Sequence, residues 1–210
     1  MTRVPATSSE HPATGKFDFP LYHPHDLTAW RSWLAAHHGS ARGVWVVSWR
    51  KASGRDRVAY EHLVEEALCF GWIDSTVTIL DDDRGLQLMT PRKRKSGWTR
   101  LNRRRVAAME EQGRMTEAGW RAVEAAKANG WWTLYDAVED LIEPDDLVAA
   151  LAASPDARTG WDALAPSARK QLLWSVISAG RPETRASRIA RIVAQAQAQA
   201  QAQDGRHPLN

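Results

Sequence analysis

Apolar residues fall at helical spacing in Leu27, Trp30, Trp33 and Leu34, with Asp26 placed to cap the segment and Gly39 to end it. The next run, Gly43-Val44-Trp45-Val46-Val47-Ser48-Trp49, is β-branched and aromatic, which predicts a largely buried strand leaving through the basic stretch 50–57. Tyr60, Leu63, Val64, Ala67 and Leu68 return to helical spacing and predict an amphipathic helix over 59–70, stopped at Gly71. Residues 75–80 and 86–90 then read as two strands of a hairpin joined by the acidic turn Asp81-Asp82-Asp83-Arg84-Gly85.

Beyond Ser96 the pattern becomes helical. Thr116 can cap a helix running to about Lys127, and Pro144, Pro155, Pro166 and Pro182 mark four further helix starts. The expected fold is α+β: a small antiparallel sheet of about three strands or more packed with helices, followed by an all-helical module. Residues 1–16 read as a disordered leader, 17–137 as the α+β domain, 138–195 as the helical module and 196–210 as a Gln/Ala-rich tail. The period of two in that tail offers no consistent apolar face, so it is expected to fray.

Composition narrows the function classes. The 210 residues are 43% hydrophobic and 25% charged, which suits a globular protein with a real core. The single cysteine, Cys69, forms no internal disulfide, and no basic start precedes an apolar run as in a secretory signal, so a cytoplasmic location is expected. No apolar stretch approaches the roughly 20 residues of a membrane-spanning helix. His23-Pro24-His25 and His37-His38 lack the spacing of a metal site, and neither a metal nor a cofactor is expected.

Tryptophan is abundant, with 11 residues. Most fit helical apolar patterns and read as core, whereas Trp72 and Trp98 stand at element ends and read as partly exposed stacking surfaces. Charge is concentrated too. Between Arg84 and Arg105 lie nine Lys or Arg and no acid, leaving 19 basic against 25 acidic side chains elsewhere. Such a block is a footprint for phosphates, an anionic ligand or an acidic partner, and equally a solvated face neutralised by Glu65, Glu66 and the acidic turn.

Within the block, Thr90-Pro91-Arg92-Lys93-Arg94-Lys95-Ser96-Gly97-Trp98-Thr99 ends a strand, crosses a basic loop and begins a helix. Ser96 or Thr99 can cap, and Arg92 with Lys95 can complete an anion cradle. The glycine pattern of a nucleotide-binding loop is absent. Cys69 has no histidine within reach, since His62 is two helical turns back, and it reads as a small buried residue. Asp74 with Glu66 could form an acid and base pair, although salt bridges to the basic loop are the simpler reading.

Several of these runs together resemble one family. Val64 to Ser75 (VEEALCFGWIDS), Thr90 to Lys93, Lys95-Ser96, Trp98, Asn102, Gly113 to Thr116 and Pro182 to Ile189 (PETRASRI) are similar, in this order, to the YdeI/OmpD-associated proteins. The chain departs from that pattern at Arg94, where proline is common, and at Gly97, where asparagine is usual. The resemblance implies a C-terminal OmdA module, a role in bacteriocin protection, antimicrobial resistance and stress response, and no agreed enzymatic activity.

Sequence and resemblance together favour a non-catalytic protein that binds an amphipathic or aromatic small molecule or peptide. Its expected site is Glu66, Trp72, Asp74, Thr90, Arg92, Lys93, Lys95, Ser96, Trp98 and Asn102. A nucleic-acid binder using 84–105, with Trp98 stacking on a base, and an enzyme centred on Asp74, Glu66 or Cys69 remain open.

Overall fold

The structure is a computed structural model and describes residues 10–14 and 19–204. The chain divides into two compact units, 1–132 and 133–210. The first is built on a five-stranded sheet in the order β1-β2-β3-β5-β4, with β1 Glu10–Thr14, β2 Phe19–Tyr22, β3 Val44–Trp49, β4 Trp72–Ile79 and β5 Arg84–Pro91. Pairing is antiparallel except between β2 and β3, which run parallel. That exception follows from connectivity: β2 returns to the sheet through α1, Leu27–His37, and a helical crossover joins parallel neighbours. Part of the predicted leader, 10–14, is thus an edge strand, while residues 1–9 and 15–18 lie outside the described residues.

Local signals act as read. The Asp26 carboxylate accepts from the Ala29 N–H at 2.7 Å and opens α1. The β4–β5 hairpin is longer than its pattern, because Trp72 and Ile73 pair with Pro91 and Thr90 below the exposed stretch. Between the first helix and that hairpin runs α2, Tyr60–Cys69; after it come α3, Arg100–Glu111, and α4, Glu117–Ala128. Gly71 ends α2 at φ +73°, and a Cβ there would come within 2.9 Å of the Ala118 carbonyl, so α4 lies close under that turn.

One face of the sheet supplies Val44, Val46 and Met89 to the main core, where they meet Trp30, Leu34, Leu68, Trp72 and Trp98. The other face carries a smaller cluster of Leu21, Trp45, Val47 and Leu88.

The second unit is helical: α5 Asp136–Glu139, α6 Asp145–Ala152, α7 Pro155–Asp162, α8 Pro166–Ile177 and α9 Pro182–Asp204. Its core joins Leu147, Leu151, Trp161, Leu173, Val176 and Ile192. The Gln-Ala run does not stand apart as a frayed extension. It continues α9, with Ala196 and Ala200 buried and Gln197 donating to the Ser154 hydroxyl at 2.9 Å. Alternate alanines put one on every helical face, and those at i and i+4 pack where a close neighbour needs a small side chain. No helix among the described residues is long and apolar enough to cross a membrane.

Candidate functional site

The end of β5 brings part of the expected site together. Arg92 is half-buried; its guanidinium carbon lies 3.6 Å from the centre of the Trp98 ring, and Nη1 donates to the Gly97 carbonyl at 3.2 Å and the Ser96 hydroxyl at 3.4 Å. Its Nε is buried without a hydrogen-bond partner. Burial lowers the Arg92 pKa to about 9, opposed by the charge of Asp74, so the group stays cationic at neutral pH. The Arg92 N–H also donates to the Gly71 carbonyl at 2.9 Å, which fastens the basic turn to the end of α2.

Asp74 reaches the same neighbourhood from β4 and accepts a 2.5 Å hydrogen bond from the Tyr60 hydroxyl at the start of α2. Burial and the adjacent carboxylate push the Tyr60 pKa above its ordinary value, while the charge of Arg105 opposes them. Tyr60 therefore remains a proton donor at neutral pH. On α3, Thr99 caps by accepting from the Asn102 N–H at 3.2 Å, and Arg105 donates to the Asn102 amide oxygen at 3.0 Å. Asp74, Arg92, Ser96, Trp98 and Asn102 thus belong to one polar cluster. Tyr60 and Arg105 complete it.

The two tryptophans are covered, and the remaining expected site residues lie elsewhere. Trp72 and Trp98 are 1% and 2% exposed, so neither offers the partly exposed face that its position suggested. Each has a better use inside. The Trp72 indole donates to the His38 carbonyl at 3.2 Å and meets Trp33 edge-on, whereas Trp98 is covered by Arg92 and by Trp132, whose ring centre is 4.9 Å away. Glu66 is 2% exposed and held between Arg31, at 2.6 Å, and Arg114. Thr90 points to the opposite face of the sheet, where its methyl lies near Gly43 and Phe19. Lys93 and Lys95 are exposed on the turn.

The basic block does not form one free surface. Arg84 is buried and bonded to Asp81, and Arg103 lies 5.9 Å from the centre of the Trp132 ring. Cys69 is fully buried, and burial with the nearby Glu66 charge raises its pKa to about 11. His37 and His38 turn their Nδ1 atoms to the carbonyls of Trp33 and Leu34, at 2.8 and 2.9 Å.

The second unit carries an open groove of about 610 Å³ between α6 and α9, with an apolar floor of Ala150, Ile189 and Val193. At one end Arg185 grips Asp146 through two bonds of 2.6 and 2.8 Å and also donates to the Val176 carbonyl at 3.0 Å. Residues 140–199, which contain this groove and the PETRASRI run, match the family described as bacteriocin-protection, YdeI or OmpD-associated. The chain carries an OmdA domain. Residues 22–122, which hold the Arg92 cluster, match a domain of unknown function, DUF8412. No curated protein and no solved structure matches the chain.

Tyr60 and Trp132 were not legible as candidate site residues, and Arg105 was read only as part of the basic block. Tyr60 occupies an apolar position of the α2 pattern, and only the packing of α2 against β4 sets Asp74 beside it. Trp132 lies some thirty positions beyond Trp98 in sequence, outside every motif that singled out the basic loop.

Proposed function

We propose that this protein is a non-catalytic binding protein of the YdeI/OmpD-associated type, contributing to tolerance of antimicrobial peptides or other toxic amphipathic compounds by holding them. The OmdA domain supports the family setting. The observation that supports binding is the Arg92 cluster: a desolvated cation backed by Trp98, with an unpartnered Nε–H and with Tyr60, Asn102 and Arg105 nearby. Such a group favours a carboxylate or carbonyl, since hydrogen bonds to charged groups contribute about 1.5–3 kcal/mol. Half-buried Trp132, beside Arg103 and Lys127, offers the aromatic surface that Trp72 and Trp98 do not.

Catalysis is less well supported. A Cys69 thiol with a pKa near 11 is protonated at neutral pH, and Glu66 is taken up by two arginines. Nucleic-acid binding loses support because Arg84 and Arg103 are engaged within the fold, which breaks up the basic block.

The test incubates the full chain with an amphipathic antimicrobial peptide against which its expression protects cells, then recovers the peptide by denaturing the protein. Intact peptide in a near-stoichiometric amount is expected. Altered peptide in molar excess over protein would replace binding by enzymatic turnover.

A further inference from the structure

The Arg92 guanidinium is committed on one side only. Trp98 covers one of its faces, and Nη1 donates to the Gly97 carbonyl and the Ser96 hydroxyl. The edge formed by Nε and Nη2 meets no acceptor among the described residues, and its Nε is buried. Leaving a buried donor unpaired is unfavourable, and an acceptor brought by a ligand removes that cost. Asp74 supplies the negative charge that favours the Arg92 cation, yet no ion pair joins the two among the described residues. Its Oδ2 accepts from the Tyr60 hydroxyl instead, and the charge of Arg105 acts on Tyr60 from α3. Two cations, Arg92 and Arg105, thus stand around one carboxylate.

We infer, resting on the binding reading above, that this site takes a ligand's α-carboxylate together with the N–H on the same carbon. The carboxylate meets the uncommitted edge of Arg92, and the N–H donates to Asp74. The Nε–Nη2 edge presents two parallel N–H groups, which match the two oxygens of one carboxylate. A neutral carbonyl leaves the cation without a counter-charge, and a phosphate dianion sets a second negative charge beside Asp74. Asp74 keeps Oδ1 for a further donor once Oδ2 has taken the Tyr60 hydroxyl. An Asp or Glu side chain within a peptide is separated from its own N–H by one or two more carbons, so it matches the pair less well. Peptide C-termini and free amino acids share this chemistry, and capture of a C-terminal carboxylate is a recurring mode of recognition. Half-buried Trp132, 4.9 Å from Trp98, is the aromatic surface beside the site.

NMR titration of the full chain, followed at its indole N–H signals, tests the inference with indole-bearing probes. N-acetyltryptophan is expected to bind about tenfold more tightly than its C-terminal amide, and Arg92→Met to abolish that preference. Indole-3-propionate keeps the ring and the carboxylate but lacks the N–H, and is expected to bind about threefold more weakly than N-acetyltryptophan. Free tryptophan separates the two sources: binding tighter than that of N-acetyltryptophan assigns the site to amino acids, and weaker binding assigns it to peptide C-termini. Equal affinity for acid and amide overturns the inference, and the binding reading then stands or falls by whether the full chain still holds the protective peptide. Binding of none of these probes overturns the inference as well. So does a preference for the acid that Arg92→Met retains.

Discussion

Gly160 on α7 and Ala196 on α9 meet backbone to backbone: a Cβ at Gly160 would stand 1.8 Å from the Ala196 carbonyl oxygen. The two helices approach closely enough for Trp161 and Ile192 to share one core. In an exposed helix Gly→Ala would stabilise by about 1 kcal/mol. Here the methyl has no room, so Gly160→Ala is expected to cost about 1–3 kcal/mol as overpacking. A lowered chemical-denaturation midpoint for the second unit checks this.

The same contact shows where sequence reading stopped. Helix starts at Asp26, Thr116, Pro155, Pro166 and Pro182 were legible because caps and prolines act through neighbours a few residues away. The role of the Gln-Ala run was not. It depends on Gly160, 36 residues earlier, and no local period reports such a partner. The site divides in the same way: Arg92, Ser96 and Trp98 are close in sequence and in space, whereas the exposure of Trp72 and Trp98 is set by α1 and by Trp132, far along the chain.

Glu66 joins Arg31 of α1 to Arg114 beyond α3. Glu66→Ala leaves two cations facing an uncharged cavity. Removing one partner of a fully buried pair costs about 3–5 kcal/mol, and the partial exposure of both arginines reduces this to about 2–3 kcal/mol. Urea unfolding of the variant measures the loss, and an unchanged midpoint would contradict the account of Glu66 as a structural clasp.

With its pKa raised by burial to about 11, the Cys69 thiol is about one part in a thousand thiolate at pH 8. A colourless thiol reagent that releases a chromophore on reaction should label native protein very slowly and urea-unfolded protein fully. Cys69→Ala should leave ligand binding unchanged.

The helical unit should weaken in acid. Hydrogen bonds from Arg158 hold the Glu143 carboxyl below its usual range, with a further bond from the Trp161 indole. The folded state therefore releases its proton more readily than the unfolded state. Stability is fully present above the unfolded carboxylate pKa, roughly 4.3, and is lost as pH falls through the lowered value. Asp162 and Asp146, bonded to Arg158 and Arg185, act in the same direction. Thermal melts from pH 7 to 3 should show a shallower decline for Glu143→Gln than for wild type.

The binding account stands most directly on Arg92. Calorimetric titration of wild type, Arg92→Met and Cys69→Ala with the protective amphipathic peptide compares that group with the buried thiol at equal chain length. Arg92→Met keeps an apolar stem over Trp98 and removes only the cation, so its fold should persist by circular dichroism. Losing a charged hydrogen-bond partner worth about 1.5–3 kcal/mol predicts at least tenfold weaker binding for Arg92→Met, with Cys69→Ala equal to wild type. Wild-type affinity in a folded Arg92→Met variant would contradict the claim that this cluster holds the ligand.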